Sequence, residues 1–200
     1  MSRAELTLAE YARAGGPKKY QVIYADPPWP YQTWTRLKTK KARKKCGSIE
    51  YPTMTLAEIC DLPVGTIADE HCILFLWITM PKLNVVFSVI EAWGFIYKTV
   101  AFTWVKQNPS GNGIYSGLGH WTLANPELCL LCTHKKFPSR KSPVKQLVFA
   151  PRGRHSSKPA IVRDKIIELV GDLPRIELFA REKAPGWDVW GNEVESDIEL

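Results

Sequence analysis

Asp26-Pro27-Pro28-Trp29 follows directly on Gln21–Ala25, an apolar run with the composition of a β-strand. An acid and an aromatic are thereby held on a stiff turn at a strand end. The two prolines remove backbone donors and fix φ, so the carbonyls of the turn keep their direction. Such a set suits a flat base that carries an exocyclic amine. The lone pair of that amine is delocalised into the ring, which makes it a poor nucleophile. A carboxylate and a backbone carbonyl accepting its N–H bonds would hold the nitrogen and favour a pyramidal, reactive geometry. Trp29 offers a face for stacking, worth about 1–3 kcal/mol per base in sites of this kind. Asp26, Pro27, Pro28 and Trp29 are therefore the expected catalytic group. The plain alternative is a strand ending in a proline turn. Against it, α/β sheets place ligands at the carboxyl ends of their strands.

Two basic stretches could serve an anionic partner. Arg36, Lys38, Lys40, Lys41, Arg43, Lys44 and Lys45 crowd the segment after the turn, beside Trp34. Lys135, Lys136, Arg140, Lys141 and Lys145 form a second group that continues to Arg152 and Arg154. With a formal net charge of +7, they suggest phosphate contacts to nucleic acid, whose affinity would fall with salt. Lys40, Lys41, Arg43, Lys44 and Trp34 are the expected substrate contacts here. The alternative is two solvated loops.

The remaining composition narrows the classes. Hydrophobic residues make up 45% and charged residues 24% of 200, ordinary values for one globular domain with a real core. The expected domain is 1–200, with its core at about 20–195 and a basic loop at about 32–50. An odd set of 5 cysteines points to a reduced, cytoplasmic protein. Cys129 and Cys132 have C-x-x-C spacing, but no second pair stands at metal spacing and the 4 histidines form no set, so no metal is expected. The start shows no secretory signal, and the apolar run Ile73–Ile78 is too short to span a membrane.

The elements that must position the turn are legible as alternating strands and helices. A short helix is expected around Leu6–Ala14, with Thr7 and Glu10 spaced as a capping box. Thr55 and Glu58 repeat that spacing. Cys72–Ile78 reads as a strand buried on both faces. Lys82–Trp93 is helical by periodicity, with Leu83, Val86, Phe87, Ile90 and Trp93 inward and Gly94 ending it. Tyr97–Val105, Leu128–Thr133, Gln146–Ala150 and Arg175–Ala180 read as strands. A helix opening at Pro159 carries Ile161, Ile166, Ile167, Leu169 and Val170 on its apolar face and stops at Gly171. The pattern implies an α/β layered sheet.

The turn and a set of segments in order resemble the DPPW-type N6-adenine methyltransferases, the MT-A-seventy-like family. The segments are Leu74-Phe75-Leu76-Trp77, Trp104-Val105-Lys106, Gly119-His120-Trp121, Glu127-Leu128-Cys129-Leu130 and Ser157-Lys158-Pro159, then Ile176–Arg181 and Trp190-Gly191-Asn192-Glu193. The resemblance covers about residues 20–195. It implies a Rossmann-like, S-adenosylmethionine-dependent fold: a mixed, mostly parallel sheet with helices on both faces and a permuted motif order. It implies that Asp26 lies between cofactor and target amine, and that Lys158 faces the cofactor carboxylate. Arg181 and Asn192 match residues around its ribose, and Glu193 stands where the family has Gln or Glu. Tyr51 matches an aromatic beside the base; His120 and Glu127 fall with the substrate contacts. Arg181 is followed by Glu182-Lys183-Ala184 where the mRNA enzymes continue Pro-His-Asn, and Lys183 is expected to pair with the cofactor carboxylate.

The Gly186–Glu193 ending is similar to the prokaryotic and phage branch, whose members often act on DNA. The resemblance thus implies methyl transfer to N6 of adenine in nucleic acid, DNA favoured and RNA the alternative, by a homodimer or paired subunit away from membranes. Two further readings stand beside it. Cytosine-N4 or glutamine methyltransferases generally carry Ser or Asn at the position of Asp26, and commonly Tyr at that of Trp29. Non-catalytic partner subunits lose the acid of the turn.

Overall fold

Seven strands build one sheet in the computed structural model, which describes residues 18–30, 52–117, 119, 121–136, 139–153 and 157–200. They are β1 (Tyr20–Ala25), β2 (Ala68–Ile78), β3 (Ile96–Gln107), β4 (Glu127–Thr133), β5 (Leu147–Pro151), β6 (Arg175–Leu178) and β7 (Asp188–Trp190). Their order across the sheet is β5-β3-β4-β2-β1-β6-β7. Only β4 runs against the rest, antiparallel to both β2 and β3. The expected mixed, mostly parallel sheet is present. The expected helix at Leu6–Ala14 and the basic stretch Arg36–Lys45 lie outside the described residues.

The central strands are apolar on both faces because both faces are covered. Cys72–Ile78 is buried throughout, as parallel strands under helices require. Alternation splits the side chains into two cores. Ile23, Ala25, Leu74, Leu76 and Ile78 face α1 (Leu56–Cys60) and α2 (Val86–Ala92), which contribute Ile59, Val86, Val89 and Ile90. Val22, Tyr24, Ile73, Phe75 and Trp77 face α3 (Ile161–Val170), which contributes Val162, Ile166 and Val170. The result is three layers, helix on sheet on helix.

Local signals set the helix boundaries. Thr55 and Glu58 form the reciprocal capping box of α1. Gly94 and Gly171 follow α2 and α3 with φ of +78° and +94°, the left-handed region that favours glycine. Two inward assignments are corrected. Phe87 is half exposed and packs edge-on against Tyr97, with ring centroids 5.5 Å apart. Ile161 is exposed and Val162 takes the buried position. The other expected positions hold: Val86, Ile90 and Trp93 are buried with Val89 in place of Phe87, and Ile166 and Val170 are buried with Val162 in place of Ile161. The helix expected over Lys82–Trp93 is shorter: Met80–Lys82 forms a tighter 3₁₀ turn, and the α-helix begins only at Val86. One short strand, β7, was not anticipated; it closes the sheet beside β6.

Tryptophans tie the layers together. Trp77, Trp93 and Trp104 are buried, and each indole N–H has an acceptor: the Tyr24 hydroxyl at 2.7 Å, the Ile59 carbonyl at 2.8 Å and the Ala150 carbonyl at 3.0 Å. Arg163 of α3 clamps Glu177 of β6 with two bonds of 2.6 and 3.2 Å. Among the described residues no helix is long and apolar enough to cross a membrane.

Candidate active site

The sheet brings residues distant in sequence to one edge. Parallel register aligns Ala25, the last residue of β1, with Leu76 and Leu178. Because β4 runs backwards, its first residue reaches the same edge: Leu128 pairs with Ile78, and Glu127 with Trp104. Lys106 near the end of β3 and the segment between β5 and α3 arrive there too. The edge is thus formed by the carboxyl ends of the parallel strands, where α/β sheets bind ligands.

A chain of alternating charges crosses it. Lys158 Nζ lies 2.5 Å from Asp26 Oδ2 and 3.4 Å from Glu127 Oε2. Lys106 Nζ lies 2.5 Å from Glu127 Oε1. The Lys158 ammonium also sits 5.6 Å over the Trp77 ring, and that of Lys106 sits 5.2 Å over Trp104. Asp26 and Lys158 are 132 residues apart in sequence. Burial pushes the Asp26 carboxyl above its ordinary range, the Lys158 ammonium pulls it back, and Glu127 adds to the rise. Burial alone would lower the Lys158 pKa, but the Asp26 and Glu127 carboxylates outweigh it and hold the ammonium charged. Burial also works against the Glu127 carboxylate, yet Lys158 and Lys106 bring its pKa below the ordinary value. Lys106 was not singled out as a site residue. Its signal was a cation closing an otherwise apolar strand, Ala101–Val105.

The turn is held by its neighbours. Trp29 N–H donates to the Pro27 carbonyl at 2.8 Å, and Met54 N–H to the Pro28 carbonyl at 3.0 Å. The Pro27 carbonyl therefore has one lone pair already engaged and one left for a further donor. The role assigned to Trp29 is corrected. Its side chain is buried in the core with Ala25, Leu76 and Ile78, and its indole N–H donates to the Trp77 carbonyl at 3.0 Å. A large apolar ring with its one donor satisfied gains more from the core than from solvent. Trp29 anchors the turn instead of offering a face. Trp29→Phe is expected to cost about 1–2 kcal/mol through the lost bond, read as a fall in Tm of several degrees.

The residues expected around a cofactor ribose gather on the neighbouring strand ends. Arg181 Nε lies 2.7 Å from Glu193 Oε1. Asn192 is exposed beside them. Gly191 is required by close approach: a Cβ there would stand 2.3 Å from the Ala180 carbonyl oxygen. Lys183 is engaged elsewhere, 3.3 Å from Asp197, whose other oxygen accepts the Val189 N–H at 2.8 Å. An open depression of about 450 Å³ lies beside Lys158, between β5 and the start of α3, lined by Phe149, Pro151, Ser157 and Ile161 among others.

Trp34, Lys40, Lys41, Arg43, Lys44, Tyr51 and His120 lie outside the described residues. The second basic group is divided by the fold. Lys136 N–H donates to Glu70 and Lys141 N–H to Leu169, placing both at the opposite edge from Asp26. Arg152, by contrast, follows β5 at the Asp26 edge, its N–H bonded to the Gln107 carbonyl. Among the described residues no group of His, Cys, Asp and Glu could hold a metal ion; Cys129 and Cys132 are both buried, one in each core.

The MT-A70 family model matches residues 20–193. The chain belongs to the MT-A70 family. It is 40% identical over 199 residues to the Type II methyltransferase M.MunI of a Mycoplasma species, covering 92% of this chain and 82% of that protein. It is 27% identical to the human N(6)-adenine-specific methyltransferase METTL4 and 26% identical to the human N(6)-adenosine-methyltransferase catalytic subunit METTL3, covering 88% of this chain in each case. The chain spans 38% and 28% of those two proteins. Within this MT-A70 chain, the acid of the turn is Asp26, and it is charge-paired with Lys158.

Proposed function

We propose that the chain transfers a methyl group from S-adenosylmethionine to N6 of adenine in DNA. The observation that carries the reading is a carboxylate at the strand-end turn, Asp26, held by Lys158 at 2.5 Å on an MT-A70 scaffold shared with relatives named for N6-adenine and N6-adenosine methylation. The similarity to a Type II methyltransferase at 40% identity favours DNA over RNA.

The residues present suit the cofactor's donor set. Lys158 would be the cation for its carboxylate, and Asn192, Glu193 and Arg181 would supply donors and acceptors for ribose hydroxyls. When bound, S-adenosylmethionine supplies a methyl group activated on a sulfonium. Asp26 and the remaining lone pair of the Pro27 carbonyl accept the two N–H bonds of the target amine. Those acceptors are fixed in advance, so they favour the positive charge that develops on N6 without reorganising. Asp26 need not be a strong base, because the methylated amine sheds its proton readily. Trp29 and the prolines keep the acceptors in place.

Asp26 must be ionised to accept both charge and hydrogen bond. Its pKa is raised above 3.8, so activity is expected to fall on acidification at a higher pH than an ordinary aspartate would set. A kcat profile against pH checks this; a flat profile down to the ordinary carboxylate range would refute it. The defining experiment incubates the chain with methyl-labelled S-adenosylmethionine and matched DNA and RNA oligonucleotides, then identifies the labelled nucleoside. Label in N6-methyladenine of DNA is expected. Label only in RNA would move the substrate, and label on cytosine or on no base would overturn the reading.

A further inference from the structure

Between β3 and β4 the chain leaves the Asp26 edge and returns to it as a hairpin. Tyr115 N–H donates to the Lys106 carbonyl at 2.8 Å, and Gly117 and Ala124 exchange backbone bonds of 2.7 and 2.9 Å. The Asn125 side chain donates to the carbonyls of both Lys106 and Tyr115, pinning the root of the hairpin to the end of β3. Beyond the Gly117–Ala124 bridge stands Trp121, 97% exposed, with Leu123 at 69%. At the root, the Arg152 guanidinium lies 3.5 Å over the Tyr115 ring.

Isolated exposed hydrophobics are ordinary. Trp121 differs in where it stands. It joins neither core, although every other indole that is described in this chain is at least partly buried. Glu127, six residues on, meets Lys158 at 3.4 Å, and Lys158 meets Asp26. Chain reach therefore keeps Trp121 within about 20 Å of the catalytic carboxylate's partners. An amine stacked inside a duplex cannot reach such a carboxylate until its nucleotide is extruded, which costs unpairing and unstacking. Proteins that open base steps do so with apolar wedges next to cationic groups that hold the backbone.

We propose that Trp121 is a wedge that enters the duplex and fills the gap left by the extruded adenine, with Arg152 held on Tyr115 to meet the adjacent phosphate. The inference rests on the adenine-methyltransferase reading above and names its substrate as base-paired DNA. The hairpin's rigid root supplies the push, and Leu123 widens the apolar tip.

The test compares wild type with Trp121→Ala and Trp121→Phe on three DNA substrates: a matched duplex, the same duplex with an abasic site opposite the target, and the single strand. Trp121→Ala is expected to lose about 10- to 100-fold in kcat/KM on the matched duplex, the equivalent of the extrusion cost. It should recover to within a few-fold of wild type on the other two, with unchanged Tm and cofactor affinity. Trp121→Phe should fall between. A 2-aminopurine at the target position should brighten with wild type and stay dark with Trp121→Ala. Equal losses on all three substrates, or no loss on any, would overturn the wedge while leaving the methyltransferase reading intact. A variant of smaller hydrodynamic mass than wild type would assign Trp121 to contact with a second copy and also overturn it. Absence of labelled adenine with wild-type protein on every substrate would sink the parent reading and the wedge together.

Discussion

Asp26→Asn is expected to lower turnover by about 10²- to 10³-fold, the usual effect of removing one preorganised polar group from a reacting centre. The side chain keeps its size, and Lys158 keeps Glu127 at 3.4 Å as a counter-charge, so the fold should survive. What is lost is charge. An amide presents a carbonyl that still accepts, but it no longer carries the negative charge that offsets the one developing on N6. Single-turnover methyl transfer measures the loss, and circular dichroism with Tm checks the fold. Turnover within threefold of wild type would remove Asp26 from the chemistry, whatever the fate of the rest of the site.

Lys158→Met is expected to strike stability and activity together. The ammonium lies between two carboxylates at the sheet edge, and its side chain is only 10% exposed. Removing one partner of such a set leaves uncompensated buried charge, a loss of about 3 kcal/mol or more near neutral pH. The sign with pH follows from the carboxylates. Without the ammonium, both pKa values rise further in the folded state than in the unfolded chain. The folded variant then binds more protons, so its stability increases as pH falls and declines as pH rises. Denaturant melts at about pH 5 and about pH 8 should therefore show the deficit shrinking in acid. A deficit that is constant or larger in acid would mean that the Asp26–Lys158–Glu127 set does not carry the stability. The same variant should raise the apparent pKa that limits turnover, because Lys158 is what pulls the Asp26 carboxyl back.

These two variants probe a site whose parts differ in how visible they are. The turn Asp26–Trp29 is contiguous, so one stretch of chain announces both its stiffness and its acid. Lys158, Glu127, Arg181, Asn192 and Glu193 are legible only through family resemblance, since nothing local to each marks it as a site residue. Lys106 carries no local mark, because a lysine at the end of a strand is ordinary until its partner is known. The role of Trp29 is hidden in the sequence for a related reason. An aromatic after two prolines is compatible with either a stacking platform or an anchor, and only the position of Trp77 settles which environment its indole meets.

Short-range physics determined much of the rest. The capping box at Thr55 and Glu58, the left-handed glycines at 94 and 171 and the unbroken apolar run Cys72–Ile78 all depend on neighbours within a few residues. Such signals fix where elements start, stop and bury, and the sequence carries them by itself. The order β5-β3-β4-β2-β1-β6-β7 was decided only in three dimensions. That order is what joins Asp26 to Lys158 and sends Arg152 to the catalytic edge while Lys136 and Lys141 go to the far one. Charges find partners through strand pairing over long separations, and no local pattern encodes which strand ends will share an edge.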